Sequence, residues 1–573
     1  MKPYFSNFSP STFVREQILK GGHITASNES PSEMVERVVS ALYEVEASLS
    51  DSVRAKRFAE SIGTLMDERK IVFSTPVMTN AGRTDFNRSL SACTIPPLSL
   101  RGDLVKVREI VNSYHQEAMG TGFNFDEVAD PVSILLFLND LAIKGASSGR
   151  EDRPVGNMGI CSIDHPRIVE FITSKQTRRD MLWKFNISVN TPESFWLAVQ
   201  NDALWGLRNG DAVYAKELFH LMAQSAHVCA DPGIVFMDRV NRDNPVPASG
   251  VYHSIAPCAE VGLVPGETCQ FGYINLGTFC HGNDVDLEGI KEATELMVRA
   301  LDDCLEISIR AFSVRTSAHV AKQRRKIGVG ICGLADALIR LGIPYASTRA
   351  REYARDVVAF MNYHSKIASH ALAKERGAFG AMNALFGCKY TENPDFLNVK
   401  YGNTETRWIS GTQWRELGRL IKSSMMLRNS STIALPPTGR SALVIDASTG
   451  VEPIFSLVGP DGTITSIVKQ TLGPHLSETY EQEILQGKGL NPWCEPKVQE
   501  LLRTSMEIGA DDHLLIVAAL QPVVDESISK TINLPQDATV AEVEHIYMQA
   551  YSLNLKGITM YRDGTSRFQP RKL

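Results

Sequence analysis

Hydrophobic positions change rhythm along this chain. Before about residue 70 they recur at helical spacing: Met34, Val35, Val38, Val39, Ala41 and Leu42 form one stripe, and Ser30 and Ser32 stand where a helix would be capped. After Pro76 the pattern becomes short apolar segments, broken by Gly, Pro and Asn, alternating with amphipathic helices. One such helix is predicted over 286–312, with Ile290, Ala293, Met297, Ala300, Leu301, Cys304 and Leu305 on its buried side. Strands are predicted at Phe185–Val189, Gly272–Leu276, Ala442–Ile445 and Gly557–Tyr561. This alternation favours a large α/β domain of parallel strands, closing into a barrel, behind a helical N-terminal lobe. The block 383–414 is rich in loop-forming residues and reads as an excursion. No repeat of fixed period and no low-complexity block interrupts the pattern.

At 573 residues the chain is too long for one ordinary domain, although large α/β barrels run longer as single units. Its 43% hydrophobic content is enough for a large core. Lys and Arg number 59 against 65 Asp and Glu, which argues against a binder of nucleic-acid polymers or of membrane surfaces, while single nucleotides remain possible ligands. The first residues lack the apolar run of a signal peptide. The longest apolar stretch, 131–143, contains Asn139 and Asp140 and is too short to span a bilayer. A soluble, cytoplasmic chain is the expectation.

Of the ten cysteines no two form a CxxC pair, and no His/Cys group has zinc-finger spacing, so no metal site is expected. Cysteine chemistry here would run through a thiol, a thiyl radical or a transient disulfide. Residues 254–280 read SIAPCAEVGLVPGETCQFGYINLGTFC. Pro257 favours an extended or turn conformation, which suits a loop tip presenting Cys258 and Glu260 to one reactant. Cys269 then opens an apparent strand. Taken alone, such a cysteine pair is more often two small buried hydrophobes.

Other segments change that weighting. RKIVFSTPVMTNAGRTDFNRSLSAC (69–93), GTGFNF (120–125), HPRIVEFITSKQ (165–176), KFNISV (184–189) and PCAE resemble, in order, segments of the ribonucleotide reductase catalytic subunit. So do KIGVGICGLADALIRLGIPY (326–345), KERGAFG (374–380), LPPTGRSALVIDASTGVEPIF (435–455) and the run 528–567. The resemblance implies a ten-stranded α/β barrel, two parallel five-stranded halves around a central cysteine finger loop, occupying 71–573 behind the helical lobe 1–70. It implies that Cys258 is the thiyl residue that takes the ribose 3′-hydrogen. Glu260 would take and later return the 3′-hydroxyl proton. Cys93 and Cys269, 176 residues apart, would protonate the leaving group, supply two electrons and end as a disulfide. Thr75 and Pro76 match the substrate-lining turn, and Pro437, Thr438, Gly439, Arg440 and Ser441 the phosphate loop. Ala92, Gly122 and Ala256 complete the substrate-binding positions implied.

The C-terminal segment bears on the radical source. It carries no glycyl-radical motif, and Tyr561 follows Met560 rather than a second tyrosine. Residues 555–564 resemble instead the adenosylcobalamin-dependent, class II type, in which Co–C homolysis yields a deoxyadenosyl radical. The short cobalamin-binding motif with a ligand histidine is not evident.

Three departures from the family stand out. Its finger loop reads Asn-Pro-Cys-Gly-Glu, where this chain has Ala256 and Ala259. Ala92 and Arg440 replace a usual Ser and Thr, and Arg440 adds a charge able to pair with phosphate. Asp130 runs directly into Pro131, without the Gly/Ser-rich loop that joins effector to substrate base. With no N-terminal regulatory domain expected before residue 60 and no cysteine pair on a C-terminal tail, the reading is a dedicated enzyme without effector-controlled specificity. A thioredoxin-like protein or small dithiol would reduce it, and a homodimer would be its assembly. The alternatives are a radical enzyme performing another nucleotide-sugar transformation and a non-catalytic nucleotide-binding paralogue.

Overall fold

Ser30 starts the first long helix, Pro31–Leu49, through a reciprocal box: its hydroxyl accepts from the Glu33 N–H and the Glu33 carboxylate accepts from the Ser30 N–H. Ser32 lies inside that helix. A second helix, Ser52–Asp67, packs beside it, and both contact the helix Leu287–Ala311. The computed structural model describes residues 10–145, 156–178, 182–282, 284–383, 387–492 and 494–565. Met34, Val35, Val38, Ala41 and Leu42 are buried, as the stripe requires. Arg299 and Arg376 both reach the buried Glu46 carboxylate, tying these helices to the body of the molecule. Burial pushes the Glu46 carboxyl up, but the two guanidinium groups prevail and hold it at about 2.

The strands begin with β1 (Ile71–Phe73), β2 (Cys93–Thr94), β3 (Gly120–Asn124), β4 (Asn157–Ser162) and β5 (Phe185–Asn190). A hairpin, β6 (Leu204–Gly206) and β7 (Ala212–Tyr214), stands apart before β8 (Gly233–Val235). Next come β9 (Ser254–Ile255), β10 (Gly262–Leu263) and the long β11 (Thr268–Asn275). A short pair, β12 (Cys280–His281) and β13 (Asp284–Val285), precedes β14 (Ile327–Cys332), β15 (Thr531–Leu534) and β16 (Gly557–Arg562).

Ten of these strands share one sheet. Strands β2, β3, β4, β5 and β8 run parallel as one half. In the other half β14 is parallel to β11, and β15 to β16. The halves meet antiparallel at two seams, β2 with β11 and β8 with β16. Parallel bridges Val329–Ile433 and Leu435–Ile528 carry backbone pairing from β14 through residues 433–435 toward β15. Strands β4, β11 and β14 are buried at every position, as expected of strands covered on both faces. Leu287–Ala311 matches the predicted helix within a residue, with all seven of its predicted core positions buried.

The predicted strand Ala442–Ile445 is a correction: Gly439–Val444 is a helix. A four-residue apolar run does not distinguish a buried strand from a buried helical turn, and here the strand position falls earlier, at 433–435. Strand β11 also starts four residues before the predicted Gly272 and ends at Asn275. The apolar stretch after Asp130 is the helix Pro131–Gly145, and among the described residues no helix is long and apolar enough to cross a membrane. Among its described residues, block 383–414 holds the short helical turns Lys389–Glu392 and Asn398–Gly402 before the helix that starts at Gly411.

Candidate active site

Strands β9 and β10 form a separate hairpin that packs against β3 and β4, and its tip carries Cys258 and Glu260. The Ala259 N–H donates to the Ala256 carbonyl (2.9 Å) and the Ala256 N–H to the Val261 carbonyl (3.0 Å), closing the tip. Ala259 has φ +62°, a left-handed conformation that costs a residue with a Cβ about 1–2 kcal/mol. Glycine, which the finger loop it resembles carries at this position, would adopt that conformation without the cost.

The walls hold this finger at several points. Asn186 Nδ2 donates to the Pro257 carbonyl (3.2 Å), Asn124 Nδ2 to the His253 carbonyl (3.0 Å) and the Ser527 N–H to the Glu260 carbonyl (2.9 Å). Lys326 Nζ donates to the Gly262 carbonyl (2.6 Å). Gly122 serves the same fit, because a Cβ there would stand 2.2 Å from the Ile255 carbonyl oxygen.

A cavity of about 240 Å³ opens over the finger tip. Cys258, Glu260, Cys93, Ala92, Thr75, Pro76, Pro437, Thr438 and Ser441 all line it. Segments from four distant parts of the chain therefore converge as expected. Gly122, Ala256, Cys269, Gly439 and Arg440 are not among the lining residues. Ala256 is fully buried under the finger. Cys269 is buried beside the cavity and pairs directly with Cys93 across the seam between β2 and β11. Arg440 turns toward the N-terminal helical turn Val14–Lys20: its Nη1 is 3.0 Å from where a Cβ on Gly22 would sit. The Thr438 hydroxyl accepts from the Gly450 N–H (2.9 Å), bracing the loop from within.

Six further lining residues were not singled out in the sequence: Ser74, Gly120, Gly156, Phe271, Tyr273 and Pro436. The Ser74 hydroxyl is buried and has no hydrogen-bond partner among the described residues. A Cβ on Gly120 would meet Pro257 Cγ at 3.0 Å and Cys93 Sγ at 3.2 Å, so the bare backbone lets thiol and finger approach each other. Phe271 and Tyr273 follow Cys269 at the two-residue strand period, and the Tyr273 hydroxyl donates to the Pro437 carbonyl (3.4 Å). The period-two spacing was the signal for both.

Cys258 is the only exposed cysteine of the ten. Burial pushes the Cys269 thiol well up, with Lys326 opposing and Glu526, Glu267 and Glu260 adding to the rise. Cys269 is thus held as a neutral thiol, the form that can give up hydrogen. Burial also raises Cys161, Cys304 and Cys332, which lie away from the cavity and act as core residues. Among the described residues no group of His, Cys, Asp and Glu could hold a metal ion.

Cys258 and Glu260 at the tip of the hairpin thus share one cavity with Cys93, and Cys269 pairs with Cys93 across the β2–β11 seam. The sequence model of the ribonucleotide reductase barrel domain matches residues 124–561, and the chain belongs to that family. Among its relatives are the vitamin B12-dependent ribonucleoside-diphosphate reductases of Thermoplasma acidophilum, 31% identical over 90% of this chain, and of Mycobacterium tuberculosis, 30% identical over 97% of it. The vitamin B12-dependent ribonucleotide reductase of Streptomyces coelicolor is 26% identical over 99% of this chain. The chain spans 66%, 79% and 66% of those three proteins respectively.

Proposed function

We propose that this chain reduces a ribonucleotide to its 2′-deoxyribonucleotide by thiyl-radical chemistry. The observation that carries the reading is the convergence of Cys258, Glu260 and Cys93 on one cavity, with Cys269 paired to Cys93 behind it. Cys258 takes the 3′-hydrogen and returns it at the end. Glu260 accepts the 3′-hydroxyl proton, which lets the 2′-oxygen depart as water. Cys93 and Cys269 supply the proton and reducing equivalents and become a disulfide. Ser74, Thr75, Thr438 and Ser441 offer hydroxyls to the phosphate end.

Adenosylcobalamin fits as radical source, since the relatives are named for vitamin B12 and Cys258 is open to a group approaching from outside. When bound it supplies the one-electron oxidation of the Cys258 thiol. A thioredoxin-like protein or small dithiol then reduces the Cys93–Cys269 pair. We read residues 1–70 as a helical lobe and 71–573 as the barrel body, in a cytoplasmic homodimer. Only residues 125–130 connect β3 to the helix Pro131–Gly145, which supports loss of the effector-linked loop and a single preferred base. Anaerobic incubation with adenosylcobalamin, dithiothreitol and each ribonucleoside mono-, di- and triphosphate tests the reading. The expected product is one 2′-deoxynucleotide; a rearranged or eliminated sugar would favour the other radical outcome, and no turnover with any substrate would favour a binding paralogue.

A further inference from the structure

The pairing of three strands sets a cation beside the reducing thiols. Cys269 on β11 pairs with Cys93 on β2. On the other flank Gln270 pairs with Ile327 of β14 in parallel register, so the residue one step earlier, Lys326, stands level with Cys269. Cys93, Cys269 and Lys326 thus form one row across the sheet. Lys326 is buried, and its ammonium points into the interior: it donates to the Gly262 carbonyl of the finger (2.6 Å) and to the Tyr252 hydroxyl (2.9 Å), and pairs with Glu526 (3.0 Å).

Other charges surround it. Glu267 lies 3.7 Å from Lys326 and is bound by Arg324 at 2.7 Å. Arg324 and Lys326 face Glu267 and Glu526, Lys556 and Lys400 also act on Glu526, and Lys326 is the cation level with the thiols. The chemistry proposed above needs such a group. After Cys258 has taken the 3′-hydrogen, one thiol of the pair gives a proton to the departing 2′-oxygen and the other gives a hydrogen atom to C2′. The two sulfurs then share a three-electron bond and one negative charge. Passing that extra electron to the 3′-keto sugar, with the proton held by Glu260, completes the disulfide. An isolated charge in so buried a place is strongly disfavoured unless a fixed opposite charge meets it.

We propose that Lys326 is a positioning residue for the reduction step, its ammonium stabilising the single negative charge that the Cys93–Cys269 pair carries between the hydrogen-atom and electron transfers. This rests on the thiyl reading, and the test separates the two. Tritium is placed at the 5′ position of adenosylcobalamin; its washout into water reports formation of the Cys258 thiyl, and deoxynucleotide yield reports the whole reaction. In Lys326→Met, product formation falls about 100-fold, the loss for removing one preorganised charge, while washout, which loses only the Lys326–Gly262 hold on the finger, falls far less. Because Lys326→Met leaves Glu526 without its cation, Lys326→Met/Glu526→Gln is measured beside it and gives the same split; Lys326→Arg restores product. Product at the wild-type rate in the double variant would overturn the proposal, as would equal loss of washout and product, or failure of both variants to fold. Absence of washout in the wild-type enzyme would instead overturn the thiyl reading itself.

Discussion

Cys93 and Cys269 face one another as directly paired residues of two antiparallel strands, β2 and β11. Paired Cα atoms in such a ladder lie about 4.5–5.5 Å apart, within the range a disulfide spans without backbone movement. Turnover in the absence of external reductant should therefore stop after about one deoxynucleotide per chain (two thiols supply two electrons) and leave these two cysteines disulfide-bonded. Peptide mapping of the spent enzyme checks this. A different pair, or none, would remove the assigned reductant.

Glu260 is buried at the finger tip, with its carbonyl held by the Ser527 N–H. Glu260→Gln keeps the shape and removes the base. Its kcat should fall by about 10²–10⁴, the usual contribution of a positioned general base, with KM changed far less. Steady-state kinetics on the preferred nucleotide would show it; an unchanged kcat would move the proton transfer to another group.

Gly120 lets the Cys93 thiol and Pro257 share one small space. In Gly120→Ala the new methyl would stand 3.0 Å from Pro257 Cγ, 3.1 Å from the Gly156 carbonyl oxygen and 3.2 Å from Cys93 Sγ. Overpacking of this kind costs about 1–3 kcal/mol, read by denaturant unfolding. A shift of about 1 Å in a reacting group can lower the rate by 10²-fold. Wild-type activity in this variant would show that the finger and Cys93 need no such closeness.

The helices Pro31–Leu49 and Leu287–Ala311 were legible because their apolar stripes are long, and Ser30 marked the start of the first. The chemistry was legible only through resemblance: nothing local ties Cys93 to a partner 176 residues away, and it is the β2–β11 seam that joins them. Ala442–Ile445 misled because a run so short has no period to read. Lys326 entered the sequence reading only as the first residue of the block 326–345, with no role of its own. The signal was present, since Arg324, Arg325 and Lys326 lead straight into a strand buried at every position, which leaves little room for their charges outside. Arg440, read as a phosphate ligand from its place in the loop, turns instead toward the N-terminal turn near Gly22, a placement that depends on a segment more than 400 residues earlier.

Turnover by Cys258→Ala tests the central assignment most directly. Cys258 is exposed at a loop tip, so its truncation should leave folding intact. With adenosylcobalamin, dithiothreitol and the preferred ribonucleotide, the wild-type enzyme is expected to make many deoxynucleotides per chain and Cys258→Ala none. Repeated turnover by the variant at a rate near that of the wild type would contradict the account.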